Sequence, residues 1–417
     1  MNNQKPNGSN TYEYEIIWKK DYSGGGNMGV AVDSHDNVIA CGINRDEDKG
    51  IVVKYDKDGN EVWSDQDLPT IYDLHSAFKE YSQPTISAKI KNFMKDYGYF
   101  FDVAVDSRDN IVVAGTFTTG DGKRSIVYVK KYDSGGNTIW EKTYTPFFIN
   151  LAVGIAIDSN DDIFVVGCGG TMLPPALKGF ILKISGSNGR VMWRRIRRRG
   201  KVTLYTSVAV DPYNDAIASG FTNYNGSLEL LITKFGGKRG WRKRELVRGG
   251  NKTPVDIVMD GQGNFVAAGK TGNGVEMHYL LKFDCNFNVL WENVGVTKGF
   301  LYGVSIMKNG DIVATGYKEA VDEYYSAVYS KSTGDKVLDM FLGKRVSNFP
   351  DDYMRGISVD NEGDVVITGA RTIGKTLKVR ITSATTPPPP SPPPTPKPPE
   401  HPKESWLQRF LRWLFGR

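Results

Sequence analysis

The sequence is short of the residues on which several classes of protein depend. It has only three cysteines, Cys41, Cys168 and Cys285, at unrelated places, which argues against a disulfide framework and favours a reducing environment. No run approaches the roughly 18 apolar residues needed to span a membrane. The first dozen residues also lack the apolar core of a secretory signal. We therefore expect a protein that is intracellular or attached peripherally to a membrane or particle surface.

Patterns typical of enzymes and metal sites are also scarce. The four histidines, His35, His75, His278 and His401, are scattered along the chain. The sequence contains no metalloprotease, esterase, P-loop or paired-cysteine motif. It therefore predicts no catalytic residue, no metal and no cofactor. One alternative stays open, a hydrolase or lyase that uses carboxylates facing a central channel to act on a small molecule or glycan.

Glycine is abundant, at 46 residues, and it punctuates one repeated pattern. An apolar run usually ends in Asp, a short polar turn follows, and a second apolar run ends in Gly. Seven copies of this pattern occupy residues 29–42, 102–115, 154–167, 207–220, 256–269, 303–316 and 356–369. A third alternating run follows each copy. In six copies a tight turn and a fourth run come next, and the fourth run of five of them carries Trp63, Trp140, Trp193, Trp241 or Trp291.

The seventh copy lacks its fourth run, and residues 12–22, with Trp18, supply the missing strand. This arrangement predicts an all-β fold, a seven-bladed β-propeller of four-stranded antiparallel blades closed by the N-terminal strand. The predicted domains are a disordered segment 1–11 and a propeller 12–386. Residues 65–99 are an expected insertion between the first two blades, either a lid, a partner-docking element or a packed decoration.

The recurring residues have structural explanations. Each Asp that closes a first strand is expected to accept backbone N–H groups in its own turn rather than to bind metal. The Gly after the second strand suits a positive φ or a close approach of backbone. The fourth-strand tryptophans are expected to pack between blades. The aspartates are Asp33, Asp106, Asp158, Asp211, Asp260 and Asp360.

The repeat resembles that of the bacterial and archaeal β-propeller proteins of the SBBP type. The matching residues are Val103–Asp106, Asn110–Gly115 and Lys131–Trp140. The tail of each copy is also similar to the tryptophan-docking motif of quinoprotein-like propellers, to which Ser330–Lys336 comes nearest. The resemblance covers residues 12–382. It implies the propeller fold and leaves the activity open, because such propellers serve many tasks.

Loop lengths distinguish the two rims of the predicted propeller. The turns from first to second and from third to fourth strand are short and uniform, and alternation along a blade places them on one rim. The remaining loops vary in length and composition. Since variable loops on a rigid scaffold are usual binding sites, we expect the ligand on that second rim, with its identity unknown.

Basic residues are concentrated in two segments, 190–201 and 238–248, which fall on the fourth strands of adjacent blades. They predict one basic flank that binds an anionic partner: nucleic acid, an acidic protein surface or lipid headgroups. The alternative is that the charges only protect exposed sheet edges. The flank consists of Arg190, Arg194, Arg195, Arg197, Arg198, Arg199, Lys201, Lys238, Arg239, Arg242, Lys243 and Arg244.

The C-terminal segment has a different composition. Residues 387–403 are rich in proline and predict a semi-rigid polyproline II linker of roughly 50 Å. Residues 404–417 predict an amphipathic helix too short to span a bilayer, which would lie in a membrane interface or in a groove on a protein partner. Its apolar face would consist of Trp406, Leu407, Phe410, Leu411, Trp413, Leu414 and Phe415.

Together these features predict a non-enzymatic binding or scaffold protein. A rigid seven-bladed ring would display its variable loops, and the C-terminal helix would attach it to a membrane surface or to a larger assembly such as a cell or virion surface.

Overall fold

The computed structural model describes residues 11–23, 25–44, 49–70, 101–118, 125–170, 177–197, 202–223, 228–272, 275–345, 353–369 and 373–384. The chain divides into two compact units, Tyr12–Thr382 and the two chain ends, Met1–Thr11 with Ser383–Arg417. The predicted linker and amphipathic helix lie outside the described residues, as does the predicted disordered N-terminus apart from Thr11, which begins a strand. Within those residues the regular elements are strands, and no helix meets the length and apolarity needed to cross a membrane.

The strands form five four-stranded sheets and one seven-stranded sheet, in which one long strand serves two neighbouring blades. Blades 1 to 3 contain β2 (Gly25–Val32), β3 (Val38–Asn44), β4 (Lys49–Tyr55), β5 (Glu61–Thr70), β6 (Phe101–Val105), β7 (Ile111–Thr118), β8 (Ser125–Tyr132), β9 (Thr138–Tyr144), β10 (Ile149–Ile157), β11 (Ile163–Gly170), β12 (Lys178–Ile184) and β13 (Val191–Ile196).

Blades 4 to 6 contain β14 (Val202–Val210), β15 (Ala216–Asn223), β16 (Leu228–Phe235), β17 (Arg242–Arg248), β18 (Thr253–Met259), β19 (Phe265–Thr271), β20 (Met277–Phe283), the shared strand β21 (Val289–Ile306), β22 (Ile312–Lys318), β23 (Glu323–Tyr329) and β24 (Lys336–Lys344). Blade 7 contains β25 (Met354–Val359), β26 (Val365–Gly369), β27 (Ile373–Ala384) and β1 (Thr11–Ser23).

The ring is closed by the start of the chain. The strand order of blade 7 is β1-β27-β26-β25, so β1 is its outermost strand. This confirms the predicted seven-bladed fold and the closing role of residues 12–22. One detail of the predicted insertion 65–99 differs: residues 65–70 belong to β5, which ends at Thr70, and the segment 71–100 lies outside the described residues.

Apolar side chains fill the space between neighbouring blades. Between blades 1 and 2, for example, Ile39 and Val52 pack with Val103 and Ile111. Similar clusters join the other neighbouring pairs, including blades 7 and 1, where Val366 packs with Trp18 and Val38. Cys41, in the cluster between blades 1 and 2, and Cys168, in a separate apolar cluster, are buried free thiols, and Cys285 is also free.

The aspartates act in their turns as the sequence predicts. In blade 2, Asp106 Oδ1 accepts the backbone N–H groups of Arg108 and Asn110, each at 2.9 Å. A third-strand lysine pairs with each of these aspartates at 2.5–2.8 Å. The pairs are Lys54–Asp33, Lys131–Asp106, Lys183–Asp158, Lys234–Asp211, Lys282–Asp260 and Lys378–Asp360.

The lysine of blade 1 also shows which turns share a rim. Lys54 Nζ lies 2.8 Å from Asp33, in the first turn of its blade, and 3.1 Å from the carbonyl oxygen of Ser134, in the last turn of the next blade. Both kinds of uniform turn therefore lie at the same rim.

Five tryptophans dock on the turn of the following blade. The Trp140 indole Nε1 donates to the Gly186 carbonyl at 3.1 Å, and its ring lies against Gly189, which has a φ of +72°. A larger residue there would meet both the unfavourable φ and the indole. Trp18, Trp63, Trp193 and Trp291 dock in the same way, which confirms the predicted packing between blades.

We expect Trp140→Ala to destabilise the protein by about 3–5 kcal/mol, because it removes a side chain that is only 9% exposed and leaves a cavity between blades 2 and 3. Urea unfolding followed by circular dichroism measures the change. Trp241→Ala is the matched control, since that indole is 68% exposed and its removal should alter stability by less than about 0.5 kcal/mol. Equal losses in the two variants would contradict the docking role.

Candidate functional site

The basic segments lie on β13 and β17, the outer strands of blades 3 and 4. Direct contacts connect the two segments. The Arg195 guanidinium donates to the Arg239 carbonyl, and the Trp193 indole Nε1 donates to the Gly237 carbonyl at 2.8 Å. The described residues of both segments therefore form one continuous surface, which we call the basic flank.

Four cations of the basic flank are exposed, and their side chains make neither an ion pair nor a hydrogen bond with any residue in the described ranges: Arg190, Arg194, Lys238 and Arg239. Lys243 is engaged by Asp215 at 2.7 Å. Arg198, Arg199 and Lys201 lie outside the described residues. The flank thus carries a local excess of positive charge.

Arg197 differs from the sequence expectation. Its side chain points inward, is only 7% exposed as a residue, and pairs with Glu245 at 3.1 Å. Arg242 reaches the same carboxylate at 3.2 Å. Burial raises the pKa of Glu245, but the hydrogen bonds and charges of the two arginines outweigh it and hold that pKa below its usual value. Arg197 is therefore a structural residue that joins blades 3 and 4 and is not available to an external partner.

Trp241 also differs from the sequence expectation, which matched it with the docked tryptophans. In blades 1 to 3 the docked tryptophan comes four residues after the glycine of its own turn, as in Gly136 and Trp140, whereas Trp241 directly follows Gly240. Arg244 occupies the docking position and donates to the Asn286 carbonyl in the turn of blade 5. The altered spacing is visible in the sequence and is the signal that was missed.

The displaced Trp241 lies beside Arg195. The Arg195 guanidinium is 5.8 Å from the ring centre of Trp193 and 5.5 Å from that of Trp241. It also donates to the Arg194 carbonyl at 2.7 Å, which fixes its position. A cation held against an aromatic face is stabilised by the ring quadrupole. The basic flank therefore combines exposed cations with an exposed aromatic ring.

A second candidate site is the cavity on the central axis. The first strands of the blades line it, and Arg355 and Tyr302 face it together with the carboxylates of Asp102 and Asp256. These aspartates stand where other copies of the repeat have Gly29, Gly154, Gly303 or Gly356. A comparison of the copies would have revealed both.

The two axial carboxylates connect neighbouring blades. Asp102 accepts the N–H of Val103 at 2.9 Å and that of Ile155, in blade 3, at 3.0 Å. Asp256 accepts the N–H of Val304, in blade 6, at 2.9 Å and the Ser207 hydroxyl at 2.7 Å. No group of three His, Cys, Asp or Glu residues suited to a metal ion occurs in the part of the chain that the structure describes. Both carboxylates thus accept hydrogen bonds from backbone N–H groups that line the centre of the ring.

Desolvation inside the channel raises the pKa of Asp102 to about 7, with a further contribution from the negative charge of Asp256. Desolvation also raises the pKa of Asp256. The two axial aspartates therefore hold their protons to a higher pH than the turn aspartates do.

The variable loops of the opposite rim fall mainly on residues 45–48, 119–124, 171–176 and 224–227, outside the described residues. The prediction that this rim binds a ligand stays a prediction.

No protein-family model matches the chain, and no curated protein matches it. Solved structures do match. The WD40 β-propeller domain of Doa1 has a TM-score of 0.54 and 13% identity over 88% of this chain and 96% of that chain. The Neurospora crassa Pan2 WD40 domain has a TM-score of 0.53 and 11% identity over 89% of this chain and 96% of that chain. Saccharomyces cerevisiae Sqt1 has a TM-score of 0.50 and 9% identity over 87% of this chain and 82% of that chain.

This likeness shows the β-propeller fold alone, because the identities are low. Membership of the SBBP-type family stays an expectation.

The contribution of Asp102 to stability should fall as the pH rises from about 4 to about 7, because folded Asp102 keeps its proton up to about pH 7 while the unfolded residue loses it near 3.8. The slope from one group is at most about 1.4 kcal/mol per pH unit, and contact of the channel with water reduces it. Urea unfolding across this range should show that the stability of Asp102→Asn, measured relative to that of the wild type, rises with pH. Asp133→Asn, in an exposed turn, is the control and should keep the wild-type slope. An unchanged slope in Asp102→Asn would be evidence against this account.

Proposed function

We propose that the protein is a non-enzymatic binding scaffold whose basic flank engages an anionic partner. The observation that supports this is the set of exposed cations without an ion pair in the described ranges, in the outer turns and on the outer strand of adjacent blades: Arg190, Arg194, Lys238 and Arg239. The nearby carboxylates do not neutralise them, since Glu245 and Asp215 already pair with other cations. A surface of this kind attracts polyanions and accelerates their association.

The axial site supports the alternative, a hydrolase or lyase, less well. General acid–base catalysis needs a carboxyl group within hydrogen-bond reach of the substrate. Asp102 and Asp256 instead accept backbone N–H groups from neighbouring blades. We therefore favour binding over catalysis.

We further propose that residues 404–417 attach the ring to a membrane surface or to a larger assembly such as a cell or virion surface. The support is the sequence pattern, in which aromatic and leucine side chains share one helical face beyond a stiff linker.

The flank proposal predicts that Arg194→Glu, Lys238→Glu and Arg239→Glu together lower the salt concentration at which the protein elutes from heparin, because favourable charge contacts become repulsive. The matched control reverses three exposed cations of blades 1 and 2, Lys57, Arg108 and Lys142, and has the same net charge. The control should elute near the wild type. Equal shifts would indicate a nonspecific charge effect and refute the flank.

The anchor proposal predicts that the full chain floats with phosphatidylcholine–phosphatidylserine vesicles in a density gradient. Deletion of 404–417, or Phe410→Glu with Leu414→Glu on the apolar face, should leave the protein at the bottom of the gradient. Gln408→Glu on the polar face is the control and should still float. Flotation that persists after the deletion would count against a membrane anchor.

A further inference from the structure

Trp241 departs from the docking that the other tryptophans of the described ranges share. Of the tryptophans in the described ranges, five donate their indole N–H to a turn of the next blade, whereas Trp241 is 68% exposed. Large exposed aromatic rings are costly in water and are typical of binding hot spots. The ring is free for contact because Arg244 has taken its docking position.

The ring is also held in place before any ligand arrives. The Arg195 guanidinium lies 5.5 Å from its centre and is itself fixed by hydrogen bonds to the carbonyls of Arg194 and Arg239. Gly240, just before the ring, is packed under Trp193. The backbone at Trp241 is therefore tied to blade 3, which limits the entropy lost on binding.

The positive charges next to Trp241 indicate which class of ligand this surface would bind. Lys238 and Arg239 precede Trp241 in the same turn, and the Arg195 guanidinium lies against its ring. A single-stranded nucleic acid offers flat base faces and a phosphate beside each of them. In a duplex the base faces are hidden in the stack, while acidic peptides and lipid headgroups offer anions without a regular series of flat rings.

We infer that the basic flank binds single-stranded nucleic acid, with a base stacked on Trp241 and phosphates contacting Lys238 and Arg239. This inference rests on the proposed function and names the partner of the same surface. Base stacking on an aromatic side chain contributes about 1–3 kcal/mol and tolerates any sequence. The site would therefore bind strands with little sequence preference.

The test measures fluorescence anisotropy of labelled oligothymidine and of a duplex of equal length, each titrated with the full chain. We expect the single strand to bind more tightly, and Trp241→Ala to weaken its binding by about tenfold while leaving duplex binding unchanged. Trp241→Phe should retain most of the affinity. Unlabelled strand should quench tryptophan fluorescence in the wild type and much less in Trp241→Ala.

Tyr213→Ala is the matched control, because Tyr213 is a 78% exposed aromatic residue on another turn of blade 4. It should bind the strand like the wild type. Equal effects of Trp241→Ala and Tyr213→Ala would overturn the inference.

Parallel titrations with heparin and poly-L-glutamate separate the two proposals. If these polyanions bind through the flank arginines but the single strand shows no preference and no dependence on Trp241, the nucleic-acid inference fails while the anionic flank stands. Tight poly-L-glutamate binding with this pattern would indicate an acidic protein. If no polyanion binds at low salt, the proposed function fails as well.

Discussion

A single backbone carbonyl in the outer turn of a blade accepts hydrogen bonds from two side chains of the preceding blade. The Gly186 carbonyl receives Trp140 Nε1 at 3.1 Å and Lys131 Nζ at 2.9 Å. The backbone carbonyls of Ser134 and Lys331 likewise accept hydrogen bonds from a lysine and a tryptophan at two other interfaces. Because Lys131 also pairs with Asp106, one lysine connects the first turn of its own blade to the last turn of the next blade.

Blade 6 shows that these contacts form a unit. Met307 stands in place of the turn aspartate, and Val328 occupies the strand position of the lysine. The two pack in one apolar cluster. Removing one partner of a buried ion pair costs about 3–5 kcal/mol, whereas replacing both by apolar residues is close to neutral. Blade 6 is also followed by blade 7, whose outer strand comes from the other end of the chain, so no turn exists there for a tryptophan to dock on.

Blade 4 differs from the other blades in how it contacts the turn of the following blade, and this difference alters its exposed surface. Arg244 replaces the tryptophan at the docking position, and Trp241 moves to the outside. The same blade contributes Glu245, which holds Arg197 in the interface. The buried structural cation and the exposed cations of the basic flank thus lie close together. They differ only in whether a carboxylate of the neighbouring blade pairs with them. The axial carboxylates are a separate feature, whose bonds connect blades at the narrow centre of the ring.

The sequence by itself determined the number of blades, the closing strand and the turn function of the aspartates. Each of these depends on the local alternation of apolar and polar residues and on a pattern that recurs from copy to copy. The tertiary structure alone decided which charges are exposed. Arg194 and Arg197 look alike in the sequence, but Glu245 lies 48 positions away from Arg197 and reaches it only when blades 3 and 4 pack. The sequence and the tertiary structure together decided the position of Trp241. Its unusual spacing is visible in the sequence, whereas its exposure depends on how the neighbouring turn packs. Contacts between blades join residues about 50 positions apart, and a local pattern carries no information on such pairings.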